Sequence, residues 1–208
     1  MSARLQTARA WAACVGVAGV SAAFSFVPWL HAVGLYQRDA VRAGQWWRIV
    51  TAMWVHLDVW HWLADAMAAA GLIQLLARVL RPQAIVGALV ACGVLVQLAL
   101  LNQPAVQWYG GLSGALHGLA AWGGLRLLRA PTGEADDRLS RWIGVLLCVG
   151  VLAKVWLEQS WLSPIVFDPH WGFGVVRIAH AFGAASGLLI WVLGEWRAQG
   201  KRVRGERE

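Results

Sequence analysis

The sequence predicts an all-α membrane protein, a single bundle of six transmembrane helices with both termini in the cytoplasm. Three observations predict it. Of 208 residues, 59% are hydrophobic and only 14% charged, with mean hydropathy +0.54, far more apolar surface than a soluble domain of this length needs. Six apolar runs recur, each of roughly 18 or more residues, about enough at 1.5 Å rise to cross a hydrocarbon core of about 30 Å. Finally, thirteen of the 18 Lys and Arg residues fall at ends that six alternating crossings bring to one side. These are Arg4, Arg9, Arg78, Arg81, Arg126, Arg129, Arg138, Arg141, Arg197, Lys201, Arg202, Arg204 and Arg207. By the positive-inside rule that side is the cytoplasm.

The runs lie at about 10–30, 59–77, 84–101, 112–129, 142–160 and 175–194 and form one domain, 1–208. The first is a retained helix, because its Pro28-Trp29 end lacks the small residues of a signal-peptide cleavage site. The second opens with a polar stretch containing His56, Asp58, His61 and Asp65. The third is interrupted only by Gln97 and reads as scaffold. In the fourth, Ser113 and His117 stand among Gly110, Gly111, Gly114 and Gly118. Lys154 and Glu158 sit four apart near the outer end of the fifth, read as a pair snorkelling toward water in preference to a proton relay. The sixth carries His180 followed by Gly183 and Gly187, a small-xxx-small surface that admits a neighbouring helix.

The rest of the composition fits this picture. The net charge of +7 is accounted for by topology and attraction to anionic lipid, with no need of nucleic acid. Cys14, Cys92 and Cys148 lie in three different runs without metal-ligand spacing and read as packing residues. Tryptophans such as Trp29, Trp108 and Trp161 suit an interfacial belt. The long loop at about 31–58 holds Trp46, Trp47 and Arg48 and reads as a covering element, with Arg38, Asp39 and Arg42 solvated.

A membrane serine ordinarily bonds back to its own helix backbone. Glycines around Ser113, however, expose free N–H groups at a helix start, where a developing negative charge can be held. Serine needs a base to become a nucleophile. His117 could reach it from one turn along, and His180 from the partner helix. The helix bearing Gly183 and Gly187 is the one built to meet a partner at matching depth, which favours His180. Its alternative is a structural bond to a backbone carbonyl. His61 and Asp65, one turn apart, could face an oxyanion or chelate zinc. The metal reading lacks an HExxH pattern, and Asp58 is better placed as a helix cap.

These residues together resemble the rhomboid intramembrane serine proteases. The resemblance is carried by Trp47-Arg48, by His56, His61 and position 65 in an H-x4-H-x3-N frame, by the WYGGLSG stretch ending at Ser113-Gly114, and by His180 with Gly183 and Gly187. It implies a Ser113–His180 dyad without an acidic third member, oxyanion stabilisation by His61, position 65 and the backbone N–H of Ser113, and no cofactor or metal. His56, Gly111 and His117 take supporting places. Asp65 stands where the family has asparagine. Ionised, it would repel an oxyanion; kept protonated by burial, it could donate. His117 stands where many members carry a tyrosine stacked on the base.

The short tryptophan-rich form and the GLSGALHG variant are similar to the rhombosortase branch. That similarity implies a bacterial inner-membrane enzyme open to the periplasmic side, acting on a transmembrane protein substrate with a Gly-Gly-containing C-terminal tail. A rhomboid-like, non-catalytic protein that binds membrane helices is the alternative, although such a protein would be expected to lack Ser113 or His180. A solute transporter fits less well, for want of an inverted repeat or broken midplane helices.

Overall fold

A computed structural model describes residues 3–129 and 135–205. Both ends of the expected 1–208 domain, the side chains of Lys201, Arg202 and Arg204, and all of Arg207 lie outside what it describes. The chain is a mostly helical integral membrane protein. Among the described residues, five helices are long and apolar enough to cross a bilayer: Arg4–Phe26, Val59–Leu76, Pro82–Leu100, Arg138–Glu158 and Ile178–Gln199.

Helix α1 (Ala3–Phe26) begins earlier than the apolar run and stops before Pro28. That proline cannot donate to the preceding turn and instead occupies the first turn of a separate short helix, α2 (Pro28–Gly34). The following loop is folded: β1 (Tyr36–Gln37), α3 (Arg38–Arg42), α4 (Arg48–Thr51) and a 3-10 turn, Ala52–Trp54. A helix end leaves carbonyls without partners, and residues 47–51 supply them for α2. Arg48 donates to the carbonyls of Ala32 and Leu35, Trp47 Nε1 to Val33 (3.0 Å) and Thr51 Oγ1 to Gly34 (2.9 Å). Arg38 corrects the expectation of a solvated charge. It is buried and donates to the carbonyls of Leu100 and Gln103, capping the helix that ends at Leu100, while Asp39 and Arg42 are exposed.

Helix α5 (Val59–Leu76) starts at Asp58, whose carboxylate accepts from the backbone N–H groups of Trp60 (2.7 Å) and His61 (3.0 Å). This cap fixes the turn that carries His61. Asp58→Ala is expected to cost about 1 kcal/mol, visible as a lower thermal unfolding midpoint in detergent. An unchanged midpoint would remove the cap from this account. Helix α6 (Pro82–Leu100) again opens on proline. Strand β2 (Trp108–Tyr109) pairs antiparallel with β1, Tyr36 opposite Tyr109, and so ties the covering loop to the entrance of the next helix.

Helix α7 (Ser113–Leu128) corresponds to the fourth apolar run, but its 16 residues span only about 24 Å at 1.5 Å each. It falls short of the length of a free-standing span because it is enclosed by the others. Arg126 is its only exposed residue, and it packs on α5, α6, α8 (Ala135–Glu158) and α9 (Ile178–Gly205). Helix α8 turns Trp142, Leu146, Val149, Leu152 and Trp156 outward, which suits lipid contact. Between α8 and α9 a hairpin forms from β3 (Val166–Asp168) and β4 (Phe173–Val175), Val166 opposite Val175. The helix expected to begin at about 175 therefore starts later, at Ile178.

The α7–α9 contact is backbone on backbone. A Cβ on Gly183 would run into the carbonyl oxygen of Gly114, and one on Gly187 into that of Gly118. Reciprocally, a Cβ on Gly118 would come within 2.8 Å of the Gly183 carbonyl oxygen. This approach brings the first turns of the two helices together.

Candidate active site

Ser113 is the first residue of α7, and the N–H groups of a first helical turn have no partner within the helix. The chain reaches it through Gly111 at φ +123°, a backbone conformation that L side chains rarely adopt. A Cβ there would also lie 2.8 Å from His61 Nε2. Glycine at 111 is thus required both by the turn and by the imidazole packed against it.

His180, in the first turn of α9, places Nε2 3.3 Å from Ser113 Oγ. The interval is slightly long for a hydrogen bond to a hydroxyl, as is common at a resting site. His117 stacks on the His180 ring with centroids 4.2 Å apart and planes 16° from parallel. Its own Nδ1–H donates to the Ser113 carbonyl oxygen at 2.7 Å. His117 is thereby tied to the backbone one turn back, and the hydroxyl is left to His180.

The other ring nitrogen of His180 is also engaged. Its Nδ1 lies 2.7 Å from Glu158 Oε2, and Glu158 Oε1 accepts from Lys154 Nζ at 2.8 Å. The Lys154–Glu158 pair read from the sequence is present, but it turns inward as well as toward water. Glu158 was missed as a site residue. The available signal was a carboxylate within a membrane span at the depth of His180, since such groups are costly unless used.

His61 and Asp65 line the same cavity from α5, with His61 Nε2 3.6 Å from Asp65 Oδ2. His61 Nδ1 is buried without a partner among the described residues, a state that ordinarily costs about 1–3 kcal/mol. Trp171 and Phe173 of the hairpin stand beside the His61 ring at 6.0 and 5.3 Å between centroids. His56 lies outside the cavity lining, 1% exposed. Its Nε2–H donates to Asp65 Oδ2 at 3.2 Å, while its Nδ1 meets Ser25 Oγ at 3.1 Å. His56, His61 and Asp65 each offer one ligand atom, all within 4.8 Å of one another, a set that could hold a cation. Two of those atoms already share a hydrogen bond that a cation would have to displace.

Tyr109 belongs to the WYGGLSG stretch, but its sequence position alone suggested no role. It lines the cavity and donates from its hydroxyl to the Gly111 carbonyl at 3.2 Å, bracing the turn before Ser113. Burial pushes its phenol up, so it remains a neutral donor. The whole cavity measures about 580 Å³ and gathers Ser113, His180, His61, Asp65, His117 and Glu158. Polar groups and apolar side chains such as Leu57 and Phe173 share its wall, a hollow of the kind in which water and irregular backbone are tolerated at membrane depth.

The chain matches the family model described as Rhomboid domain over residues 43–196, a range that includes all six of these residues. No curated protein matches it.

Proposed function

Because the chain belongs to the rhomboid family, we propose that it is an intramembrane serine endopeptidase using Ser113 as nucleophile and His180 as general base. The observation that carries this reading is the 3.3 Å approach of His180 Nε2 to Ser113 Oγ, at a helix start, where N–H groups can face a developing negative charge. Ser113 Oγ attacks the scissile carbonyl carbon as His180 Nε2 takes its proton. The carbonyl electron pair moves onto oxygen. When the C–N bond breaks, the leaving amine receives that proton, and water then releases the acyl group by the same route.

The oxyanion would be met by the Ser113 backbone N–H and by His61, which lines the same cavity. Asp65 could join them when protonated. As a carboxylate it instead accepts from His56 and orients the neighbouring His61. On this reading α1, α5, α6, α7, α8 and α9 are the six crossings of one domain, both termini are cytoplasmic, and the cavity faces the outer side. Arg126 and Arg129 near Glu195, 3.6 and 3.4 Å away, suit the cytoplasmic end. The substrate is a transmembrane protein entering laterally beside the lipid-facing α8. The GLSGALHG variant supports a rhombosortase-like reading, on which a Gly-Gly-containing C-terminal tail is the expected target.

The test is cleavage of such a tail, on a single-span reporter co-reconstituted in liposomes with the full chain. Wild type should release a defined fragment. His61→Ala should fold yet turn over about 10²–10³-fold more slowly, the usual cost of one oxyanion donor. Full activity in that variant would remove His61 from the mechanism. Cleavage of reporters without Gly-Gly, in preference to those with it, would overturn the branch assignment alone.

A further inference from the structure

We propose that Glu158 is a third member of the catalytic array, a positioning residue that fixes the tautomer of His180 and steadies its charged form, with Lys154 holding it in place. The inference rests on the Ser113–His180 reading above and extends it. An ionised carboxylate can only accept hydrogen bonds, and a neutral imidazole has one donor and one acceptor nitrogen. With Glu158 Oε2 2.7 Å from His180 Nδ1, the ring hydrogen must lie on Nδ1. Nε2, which faces Ser113 Oγ, is then the lone-pair side that a general base needs. Stacking on His117 restrains the tilt of the ring but is indifferent to its tautomer.

The same carboxylate serves the next step. As Ser113 Oγ bonds to the carbonyl carbon and its proton passes to Nε2, His180 becomes an imidazolium in a low-dielectric setting, where an adjacent negative charge stabilises it. The proton leaves again on the amine, and the array returns to its starting state. Lys154 bonds the remaining oxygen, Oε1, at 2.8 Å, so the carboxylate is compensated before the reaction begins. Both Glu158 and His180 are sheltered, at 13% and 6% side-chain exposure, whereas Lys154 reaches solvent at 51%. An uncompensated carboxylate in that position would be costly.

Glu158 could alternatively serve only to fasten α8 to α9, and the experiment separates the two roles. The rate of covalent modification of the full chain by a fluorophosphonate is measured in detergent for wild type, Glu158→Gln and Glu158→Asp, beside their thermal unfolding midpoints. Nitrogen-15 spectra of histidine-labelled protein report the His180 tautomer. The expected result is modification about 10²–10³-fold slower in Glu158→Gln, below the loss seen when a buried triad aspartate is replaced. Glu158→Asp, which keeps the charge, should recover to within about tenfold of wild type. His180 should carry its hydrogen on Nδ1 in wild type and lose that preference in Glu158→Gln. A wild-type rate and an unchanged tautomer in Glu158→Gln would overturn the proposal while leaving the protease reading intact. Wild type that is not modified, or modification that survives Ser113→Ala, would instead remove the protease reading. The tautomer then decides the role of Glu158 by itself, with an Nε2-bound hydrogen in wild type counting against it.

Discussion

Ser113→Ala and His180→Ala should each reduce cleavage of a membrane-embedded reporter by on the order of 10⁶-fold, and the double variant should be no worse than either single one. The size follows from soluble serine proteases, where nucleophile and base act as one unit and removing either forfeits nearly the whole chemical contribution. The non-additivity is the sharper part of the prediction. Two residues supporting the fold independently would give losses that multiply. Single-turnover rates in liposomes check it, with protein folding verified for each variant. His117→Ala should be slowed but active, because His117 donates to the Ser113 carbonyl and stacks on His180, and in the proposed mechanism the hydroxyl proton goes to His180. Multiplying losses at 113 and 180, or an inactive His117→Ala beside an active His180→Ala, would contradict the assignment.

The second large effect concerns the scaffold. Gly183→Ala should destabilise the protein by about 3 kcal/mol or more, at the upper end of what overpacking costs, and should separate α7 from α9. The added Cβ would meet the carbonyl oxygen of Gly114, and a helix backbone cannot swing aside as a flexible side chain can. A displacement of about 1 Å at the dyad is itself worth about 10²-fold in rate. Stability and activity should therefore fall together. Gly194 offers an internal control on the same helix: a Cβ there meets nothing within 4 Å, so Gly194→Ala should be neutral in both. Thermal unfolding in detergent beside reporter cleavage measures the pair. Equal stability of Gly183→Ala and Gly194→Ala would mean that the helices can separate at no cost.

Much of this architecture was legible because membrane spans are read from long apolar runs, and the runs around 59–77 and 84–101 match α5 and α6 closely. Boundaries failed where local chemistry was ambiguous. Phe173–Val175 is an apolar, glycine-containing stretch that reads equally well as helix or strand, and only its pairing with residues 166–168 makes it a hairpin. The β1–β2 bridge and the buried Arg38 depend on contacts far apart in the chain, which no local pattern encodes. The α7 segment shows a different limit: a length sufficient by apolarity became a 16-residue helix, since a helix surrounded by protein need not match the bilayer.

The same distinction applies to the cavity. Glycine spacing on α9 pointed to a close partner helix, and Ser113, His117 and His180 do meet across that contact. Glu158 was hidden because an i, i+4 lysine–glutamate pair is self-explanatory along one helix. A carboxylate has two oxygens, and nothing in the sequence says that the end of α8 abuts the first turn of α9. Asp65 was noticed as a departure from asparagine, but its bond to His56 needed the fold of the loop before α5.

The most direct measurement of the central claim is the mass of a fluorophosphonate adduct on the folded full-length protein and its position in the chain. The account predicts a single adduct on Ser113, absent from His180→Ala. No adduct on folded wild type, or one on any other residue, would contradict it.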